Sequence, residues 1–225
     1  VRLGNVINTY NVFQHFYPYF DVVDVNWNNE LEKALERSFK DSIPKDHLIT
    51  LQKFTSPLND GHIVVSYNRN SEWSTPPITW EWINDELVIT NVLDSTIPLK
   101  IGDIVTEING VTTVEYFSEI NSRISAGTEG WLNHNSQILS LSGEKDSELD
   151  IKVNNETIKL IRNSYPYNSS ARQSDYEKIN DSVFYLNLNS IPMEEIEKLI
   201  PELEKSKSII CDLRVYPRGN HGFIS

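Results

Sequence analysis

His62 is the residue whose type and setting best suit acid–base chemistry. It follows Asp60 and Gly61 in a turn-like segment that begins at Leu58. Neutral imidazole, with an unperturbed pKa of about 6.5, can accept a proton from a hydroxyl group at neutral pH. Taken alone, however, a histidine in an Asp-Gly turn is more often a surface or capping residue. The local pattern therefore leaves both roles open for His62.

The other side chains that could bind metal or attack a substrate do not form a recognisable pattern. The remaining histidines, which share no metal-ligand spacing, are His15, His47, His134 and His221. The single cysteine, Cys211, lies inside an apolar segment, which predicts a small buried side chain rather than a nucleophile. We therefore expect no metal ion and no other cofactor.

The charge balance argues against several classes of function. The 225 residues include 20 Lys and Arg against 32 Asp and Glu, a formal net charge of −12. An acidic chain without a basic cluster repels phosphate backbones and anionic lipid headgroups, so no nucleic-acid partner is expected. No apolar run in the sequence reaches about 20 residues, the length of a membrane-spanning helix. The hydrophobic content of 39% is sufficient for packed cores.

Residues 1–68 are predicted to form an N-terminal helical domain. Apolar side chains recur there every three or four residues, the spacing of one helix face. The segments with this spacing are residues 6–17, 28–40 and 46–55. Asn28 and Asn29 are candidate N-caps of the second helix. Residues 63–67, directly after His62, are rich in β-branched side chains and are predicted to form a short strand.

Residues 76–163 are predicted to form a β-rich domain. Residues 78–82 alternate with period two and place Trp80 and Trp82 on one face, which favours core or interdomain packing over a ligand platform. Further strands are predicted at residues 87–92, 103–108, 149–153 and 157–162, with one helix at 116–125. Asn109-Gly110 indicates a tight turn, because both residues tolerate positive φ.

Residues 175–225 are predicted to begin a third domain, of α/β type. A strand at 183–188, a helix at 193–205 and a strand at 208–213 form a crossover whose length implies parallel strand pairing. The second strand is nearly all apolar and is expected to be buried on both faces. Two parallel strands do not make a stable domain, and the sequence begins with Val rather than Met. We therefore expect a trimmed piece of a larger protein.

Three motifs resemble segments of one protease family. The sequence LKIGDIVTEINGV at residues 99–111 is similar to the PDZ signature, with Gly102, Asp103, Asn109 and Gly110 at matching positions. The segment from Ile210 to Arg214, followed by Gly219, resembles the Asp-Leu-Arg-Gly-Asn-x-Gly-Gly segment of tail-specific serine peptidases. Asp60-Gly61-His62 resembles the Asp-Gly-His that precedes the PDZ domain in the tricorn-core-like branch of that family.

The resemblance to these tail-specific, or C-terminal processing, serine peptidases implies an α+β multidomain fold. Its parts would be an N-terminal helical bundle, a PDZ-like β-rich domain and the start of an α/β peptidase domain of the ClpP/crotonase type. The implied activity is serine-type cleavage of protein or peptide substrates, with His62 as general base and Gly219 as an oxyanion backbone donor. Asp212 and Arg214 are expected to form a structural pair or to cap their loop.

The sequence also departs from the family pattern. Val215, Tyr216 and Arg218 replace the first Gly, the Asn and the penultimate Gly of the oxyanion segment. Val disfavours positive φ, so the loop cannot take the usual shape if that position requires it. The family's downstream nucleophilic Ser has no counterpart in these 225 residues. We therefore expect the chain alone to be inactive.

The predicted peptide-binding strand carries Ile78, Trp80 and Trp82. The loop before it, Ser74 to Pro77, has two prolines and therefore two fewer N–H donors for a terminal carboxylate. We therefore expect strand addition with weak preference for a free C-terminus.

A non-catalytic peptide-binding or scaffold protein that retains this architecture is the alternative function. The altered loop and the missing nucleophile favour it, whereas Asp60-Gly61-His62 favours the peptidase. Family members are typically exported in bacteria, so the resemblance implies the periplasm or cell envelope. The sequence does not indicate an oligomeric state.

Overall fold

The chain forms two compact units in a computed structural model. The residues that the structure describes are 1–67, 73–163, 174–213 and 219–223. The units are Val1–Pro166 and Tyr167–Ser225. The first unit includes both the predicted helical domain (1–68) and the predicted β-rich domain (76–163), and the second includes the predicted third domain (175–225). No helix among the described residues is long and apolar enough to cross a membrane.

The first unit begins with three α-helices, here called the N-terminal helices, as the sequence pattern predicts. They are α1 (Arg2–Phe16), α2 (Trp27–Lys40) and α3 (Pro44–Thr55), and a 3-10 turn (Ser56–Leu58) follows. The predicted N-caps of α2, Asn28 and Asn29, are wrong. Asn26 is the cap, and its side chain accepts a hydrogen bond from the Asn29 backbone N–H at 3.1 Å. The helix starts earlier because its first residue, Trp27, is drawn into the buried core.

Trp27 is the centre of the core of the N-terminal helices. Its indole stacks on Phe54, with 4.3 Å between ring centroids and 3° between planes, and Tyr10 stacks near it at 5.9 Å. Val6, Ala34 and Leu58 complete the buried cluster. Because the aromatic rings come from α1, α2 and α3, this cluster fixes the three helices against each other.

The predicted strand at residues 63–67 is not formed. The Gln52 side chain donates to the Val65 carbonyl oxygen at 3.1 Å, and the Ile63 N–H donates to the Asp60 carbonyl oxygen. Ile63 packs partly against the helical core, whereas Val64 is 80% exposed. β-branched residues favour a strand only where a neighbouring strand supplies ladder hydrogen bonds, and no strand pairs with this segment among the described residues.

Residues 73–163, called the β-rich region here, form the rest of the first unit. Its strands are β1 (Trp73–Ser74), β2 (Ile78–Ile83), β3 (Glu86–Val92), β4 (Ile104–Ile108), β5 (Val111–Thr112), β6 (Gly143–Glu144), β7 (Glu148–Val153) and β8 (Glu156–Ile161). Its helices are α4 (Thr113–Asn121) and α5 (Glu129–Leu141). The main sheet is antiparallel with order β2-β3-β4-β7-β8, β5 pairs with β4, and β1 pairs with β6.

The predicted strands of this region are confirmed to within two residues at their ends, but α5 is absent from the predictions. The predicted helix at 116–125 is α4, which begins three residues earlier with a capping box between Thr112 and Glu115. The buried face of α5 includes Ser136 and Ser140 beside Leu141. Because two of its buried positions are serines, the sequence of this helix lacks the regular apolar spacing from which a helix is predicted.

The second unit contains a three-stranded sheet and one long helix. Its elements are β9 (Tyr176–Asn180), β10 (Val183–Asn187), α6 (Met193–Leu203), β11 (Ser208–Asp212) and a 3-10 turn (His221–Phe223). The order is β11-β10-β9, in which β10 and β11 are parallel, as predicted, and β9 is antiparallel to β10. Phe184 and Leu186 of β10 pack against Ile196 and Leu199 of α6.

The prediction that β11 is buried on both faces is wrong. Ile209 is 40% exposed, Ile210 is 47% exposed, and Cys211 is exposed as well, contrary to its predicted burial. In the described part of the sheet, β11 is an edge strand with β10 alone beside it, whereas full burial of an apolar strand requires cover on both faces. The Cys211 thiol is partly shielded by its neighbours, which raises its pKa and disfavours a thiolate.

Candidate functional site

The candidate site in the first unit is the loop Asn59–His62, which follows the 3-10 turn. Asn59 has a positive φ of 51° and turns the chain after that short helix. Asp60 Oδ1 accepts two hydrogen bonds from His62, one from the backbone N–H at 2.9 Å and one from Nδ1 at 3.0 Å. The His62 side chain is 99% exposed, whereas Asp60 is 19% exposed. The imidazole is thus anchored on one edge and open on the other.

The electrostatics of this pair select one form of the imidazole. The backbone N–H of His62 holds the pKa of Asp60 below its ordinary value, partial burial opposes this effect, and the imidazole adds to it. Asp60 is therefore an ionised acceptor at neutral pH. Neutral His62 must then carry its hydrogen on Nδ1, so that the Nε2 lone pair faces solvent. Such an imidazole can accept a proton at Nε2 and remain stabilised by the carboxylate.

Contacts from the β-rich region hold the same loop. The Asp60 backbone N–H donates to the buried Ser125 Oγ at 2.9 Å. The Trp131 indole covers Gly61 so closely that a Cβ atom on that glycine would lie 2.9 Å from Nε1. A further link is the ion pair between Lys53 Nζ and Glu119 Oε2 at 2.8 Å. The position of His62 therefore depends on residues that come well after it in the chain.

A cavity of about 150 Å³ lies beside this loop. Its walls include Gly61, Ile63, Ile124, Trp131 and Leu139. The walls are mainly apolar, so the cavity suits a non-polar group rather than an ion. Among the residues that the structure describes, no group of three or more His, Cys, Asp and Glu side chains could hold a metal ion.

The four residues at the positions that match the PDZ signature shape the turns around β4. Gly102 has a φ of +96°, and the Asp103 carboxylate accepts from the Lys100 N–H at 2.8 Å. Asn109 and Gly110 form the turn after β4, with φ values of +49° and +80°. The Asn109 side chain also accepts from the Asp150 N–H at 3.1 Å, which ties the turn to β7. These four residues therefore set the backbone conformation of the turns before and after β4.

The side chains proposed for substrate binding on β2 belong largely to the core. Ile78 is 1% exposed and Trp80 is fully buried. The Trp80 indole N–H donates to Ser140 Oγ at 3.0 Å, and Trp82 packs edge-to-face on Phe117 at 5.1 Å. Since β2 is an outer strand of the described sheet, its backbone is what it can offer to an added peptide strand.

The loop before β2 is poorly suited to bind a carboxylate. Residues 74–77 are all buried. The Thr75 carbonyl oxygen accepts from the Asn163 N–H, and the Pro77 carbonyl oxygen accepts from the Leu93 N–H. These bonds hold the loop against the region's own backbone. Pro76 and Pro77 lack N–H groups, so these two positions offer no backbone donor to a ligand anion.

The remaining predicted site residues lie in the second unit. Asp212 is 8% exposed, and its Oδ2 accepts a hydrogen bond from the Tyr185 hydroxyl group at 2.5 Å. Gly219 has a φ of +76°, a conformation that favours glycine. Arg214 and the altered residues Val215 to Arg218 lie outside the described residues. His62 belongs to the first unit, so each unit carries part of the predicted set.

Comparisons with known proteins identify the fold. No protein-family model matches the sequence, and comparison with curated protein sequences finds no relative. Mature CPAF complexed with lactacystin matches 94% of this chain and 55% of its own length, with a TM-score of 0.70 and 13% identity. Mature CPAF matches 94% of this chain and 54% of its own length, with a TM-score of 0.68 and 13% identity. The fold is CPAF-like.

A serine-to-alanine mutant of CPAF matches 73% of this chain and 34% of its own length, with a TM-score of 0.58 and 14% identity. At this level of identity the matches show that the chain shares the mixed α and β fold of CPAF. The chain spans about half the length of the two CPAF chains that it matches best among these three.

Sequence reasoning missed the residues that attach the His62 loop within this CPAF-like fold. Ser125 is one of many serines, and its partner is a backbone N–H 65 residues earlier in the chain. Trp131 lies in the unpredicted helix α5. In the second unit, Asn220 is 1% exposed, and its side-chain amide donates to the carbonyl oxygens of Leu188 and Ile191. The sequence contains no local signal for any of these long-range contacts.

Proposed function

We propose that this chain forms part of a serine-type endopeptidase that cleaves protein or peptide substrates. The observation that carries the proposal is the geometry of His62, whose Nδ1 is bound by Asp60 and whose Nε2 is open. The CPAF-like fold over 94% of the chain supports the same class of activity. The motifs Asp60-Gly61-His62 and Ile210 to Arg214 add support from the sequence.

The proposed chemistry assigns each residue one task. His62 Nε2 takes the proton of a serine hydroxyl group as the oxygen attacks the peptide carbonyl, and then gives it to the leaving amine. Asp60 stabilises the imidazolium that exists between these steps. The Gly219 N–H donates to the oxyanion of the tetrahedral intermediate, an interaction worth about 3–4 kcal/mol in other proteases. The attacking oxygen would be that of the family's nucleophilic serine, which has no motif counterpart in these 225 residues, so we expect the chain alone to be inactive.

We further propose that the β-rich region is a PDZ-like domain that engages substrate or gates its entry. Its turn residues Gly102, Asp103, Asn109 and Gly110 match the PDZ signature, and β2 offers an outer strand edge. A peptide could extend the sheet there through main-chain hydrogen bonds. The proposed partners are therefore proteins or peptides with an extended segment.

The test uses protein expressed from the complete natural coding sequence. We expect labelling by a fluorophosphonate probe and cleavage of an unfolded protein such as casein. His62→Ala should lower kcat/KM by about 10²–10⁴-fold, the range for loss of a general base. The matched control is His15→Ala, which removes an exposed histidine from α1 and should leave cleavage unchanged. Absence of both labelling and cleavage, or full activity of His62→Ala, would refute the proposal.

The alternative is a non-catalytic peptide-binding or scaffold protein, which the outer edge of β2 favours. Both functions allow peptide binding, but the scaffold requires it without fluorophosphonate labelling. Fluorescence titration with a peptide and its C-terminally amidated form tests the binding mode. We expect a difference in Kd of less than about threefold, or about 0.65 kcal/mol, because Pro76 and Pro77 provide no N–H groups. A large loss on amidation would show that the loop does capture a carboxylate.

We also propose export to the bacterial periplasm or cell envelope, on the basis of the family resemblance. Fractionation of the source cells, with antibody detection of this protein, would test it. Recovery in the cytoplasmic fraction would contradict the proposal.

A further inference from the structure

We propose that Ser125 and Trp131 are positioning residues for His62. They hold the backbone of Asp60 and Gly61 in the one arrangement that directs the imidazole Nδ1 to the Asp60 carboxylate. The inference rests on the proposed function of His62 as general base. It adds that the β-rich region, and not the loop alone, sets the orientation of that base.

Ser125 acts on the loop through a chain of hydrogen bonds. Its Oγ accepts the Asp60 backbone N–H at 2.9 Å, and Asp60 Oδ1 accepts both the backbone N–H and Nδ1 of His62. Ser125 is 6% exposed, so water has little access to replace its hydroxyl group. Without that hydroxyl group the Asp60 N–H would lose its acceptor, so the Asn59–Asp60 peptide, and with it the Cα atom that bears the carboxylate side chain, would be held less firmly.

Trp131 restrains the residue between Asp60 and His62. A Cβ atom on Gly61 would lie 2.9 Å from the indole Nε1 and 3.0 Å from Cδ1. These distances leave space for glycine and for no larger residue unless the ring moves. The Trp131 backbone is anchored at the start of α5, where the Thr128 hydroxyl group accepts its N–H at 3.2 Å. Trp131 is 45% exposed, and its ring stacks on His134 with 5.7 Å between ring centroids.

Neighbouring contacts also join the chain around the loop to the β-rich region. The Ser56 hydroxyl group donates to the Ser122 carbonyl oxygen at 2.9 Å, just before the loop. A Cβ atom on Gly127 would lie 3.3 Å from the Asn59 carbonyl oxygen, so the two backbones also pack closely. A displacement of α5 would therefore be transmitted to His62 through these backbones and through the Trp131 ring.

The proposal is tested on the 225-residue chain by measuring which tautomer the neutral His62 imidazole adopts. If Ser125 only stabilised the fold, its replacement would leave this tautomer unchanged. Imidazole ¹⁵N shifts measured at pH about 8.5, where an ordinary imidazole is neutral, distinguish Nδ1–H from Nε2–H. We expect wild type to be mainly Nδ1–H. In Ser125→Ala, the Nε2–H population should rise about twofold or more as the hydrogen bond to Asp60 loosens.

Ser136→Ala is the matched control, because Ser136 is 1% exposed in the same region and bonds the Asn133 carbonyl oxygen within α5. Its His62 spectrum should equal that of wild type. If Ser125→Ala does not fold, Gly61→Ala replaces it, since the added methyl group must displace the loop or the Trp131 ring. An unchanged His62 tautomer in the folded test variant would overturn the proposal.

Activity separates this inference from the proposed function. In protein from the complete coding sequence, Ser125→Ala should lower kcat about tenfold and change KM less than about twofold, because orientation of the base matters in the chemical step. If His62→Ala remains fully active while the tautomer shift is observed, the peptidase proposal fails and the structural coupling stands. If His62→Ala is inactive while Ser125→Ala changes neither tautomer nor kcat, the coupling fails and the peptidase proposal stands.

Discussion

The two units support their parts of the predicted site in different ways. In the first unit, the His62 loop is attached to Ser125 and covered by Trp131. In the second unit, Asp212 ends an edge strand whose apolar residues Ile209 and Ile210 are 40% and 47% exposed. The candidate base is thus held by contacts within its own unit, whereas the strand leading to the predicted oxyanion loop has one described neighbour. The two parts of the predicted site therefore differ in how firmly the described residues of their own unit hold them.

The largest expected effect concerns the aromatic core of the first unit. Trp27→Ala removes the ring that stacks on Phe54, and it should lower the free energy of unfolding of this unit by about 3–5 kcal/mol. Urea denaturation followed by far-ultraviolet circular dichroism measures the change. Trp73→Ala, at a position that is 55% exposed, should change it by less than about 0.5 kcal/mol. Equal losses in both variants would mean that Trp27 is not the centre of this core.

A smaller effect is expected at the end of β11 in the second unit. Tyr185→Phe removes the hydrogen bond to the buried Asp212 carboxyl group and should destabilise this unit by about 1–3 kcal/mol. Urea denaturation followed by the NMR signals of β10 residues measures this loss of stability. Tyr176→Phe is the matched control, because Tyr176 lies on β9 and is 46% exposed. A loss near zero for Tyr185→Phe would indicate that this contact does not hold the strand end.

The His62 loop should respond to acid locally. The pKa of Asp60 is lowered in the folded state, chiefly by the His62 backbone N–H. The ionised Asp60 carboxylate therefore contributes its full stabilisation above the ordinary aspartate pKa of about 3.9. This contribution is lost as the pH falls through the lower pKa that Asp60 has in the folded state. Hydrogen exchange, corrected for intrinsic rates, should show the His62 amide losing protection below about pH 4.

Asp60→Asn is the control for this acid response, because its amide does not titrate. The corrected protection of the His62 amide should then change little with pH. An acid response of equal size in the variant would assign it to a group other than Asp60.

The smallest expected effect would sharpen the contrast between the two units. Ile210→Ser replaces an exposed residue of β11 and should change stability by less than about 0.5 kcal/mol. Leu186→Ala, on the fully buried face of β10, should cost about 2–5 kcal/mol in the same denaturation experiment. A comparable loss for Ile210→Ser would show that this face of β11 is covered in solution.

Local patterns in the sequence predicted most of the elements but not the contacts that hold the site. The period-two strands and the Asn109-Gly110 turn could be predicted, because each depends on neighbouring residues. Helix α5 could not, since buried Ser136 and Ser140 interrupt its apolar face. The predicted strand at 63–67 failed because no described strand pairs with it, and the predicted burial of β11 failed because the described residues do not cover both of its faces. A segment's own residues specify neither its partner strand nor its cover.

In the candidate site, too, the local contacts could be predicted from the sequence and the long-range contacts could not. His62 was a candidate because its neighbours Asp60 and Gly61 are adjacent in the sequence, and the pairing with Asp60 is local. The bond from Asp60 to Ser125 spans 65 residues, so no local pattern reveals it. The core positions of Ile78 and Trp80 follow from alternation, but their near-complete burial depends on packing against α4 and α5.

The mixed pairing of β10 has a consequence for synthesis on the ribosome. The hairpin of β9 and β10 closes through the two residues Asp181 and Ser182, so it can form as soon as both strands emerge. The parallel partner β11 follows only after residues 188–207, which at about 5–20 residues per second takes on the order of seconds. During that interval the nascent hairpin presents an unpaired apolar edge, which is the kind of surface that chaperones bind.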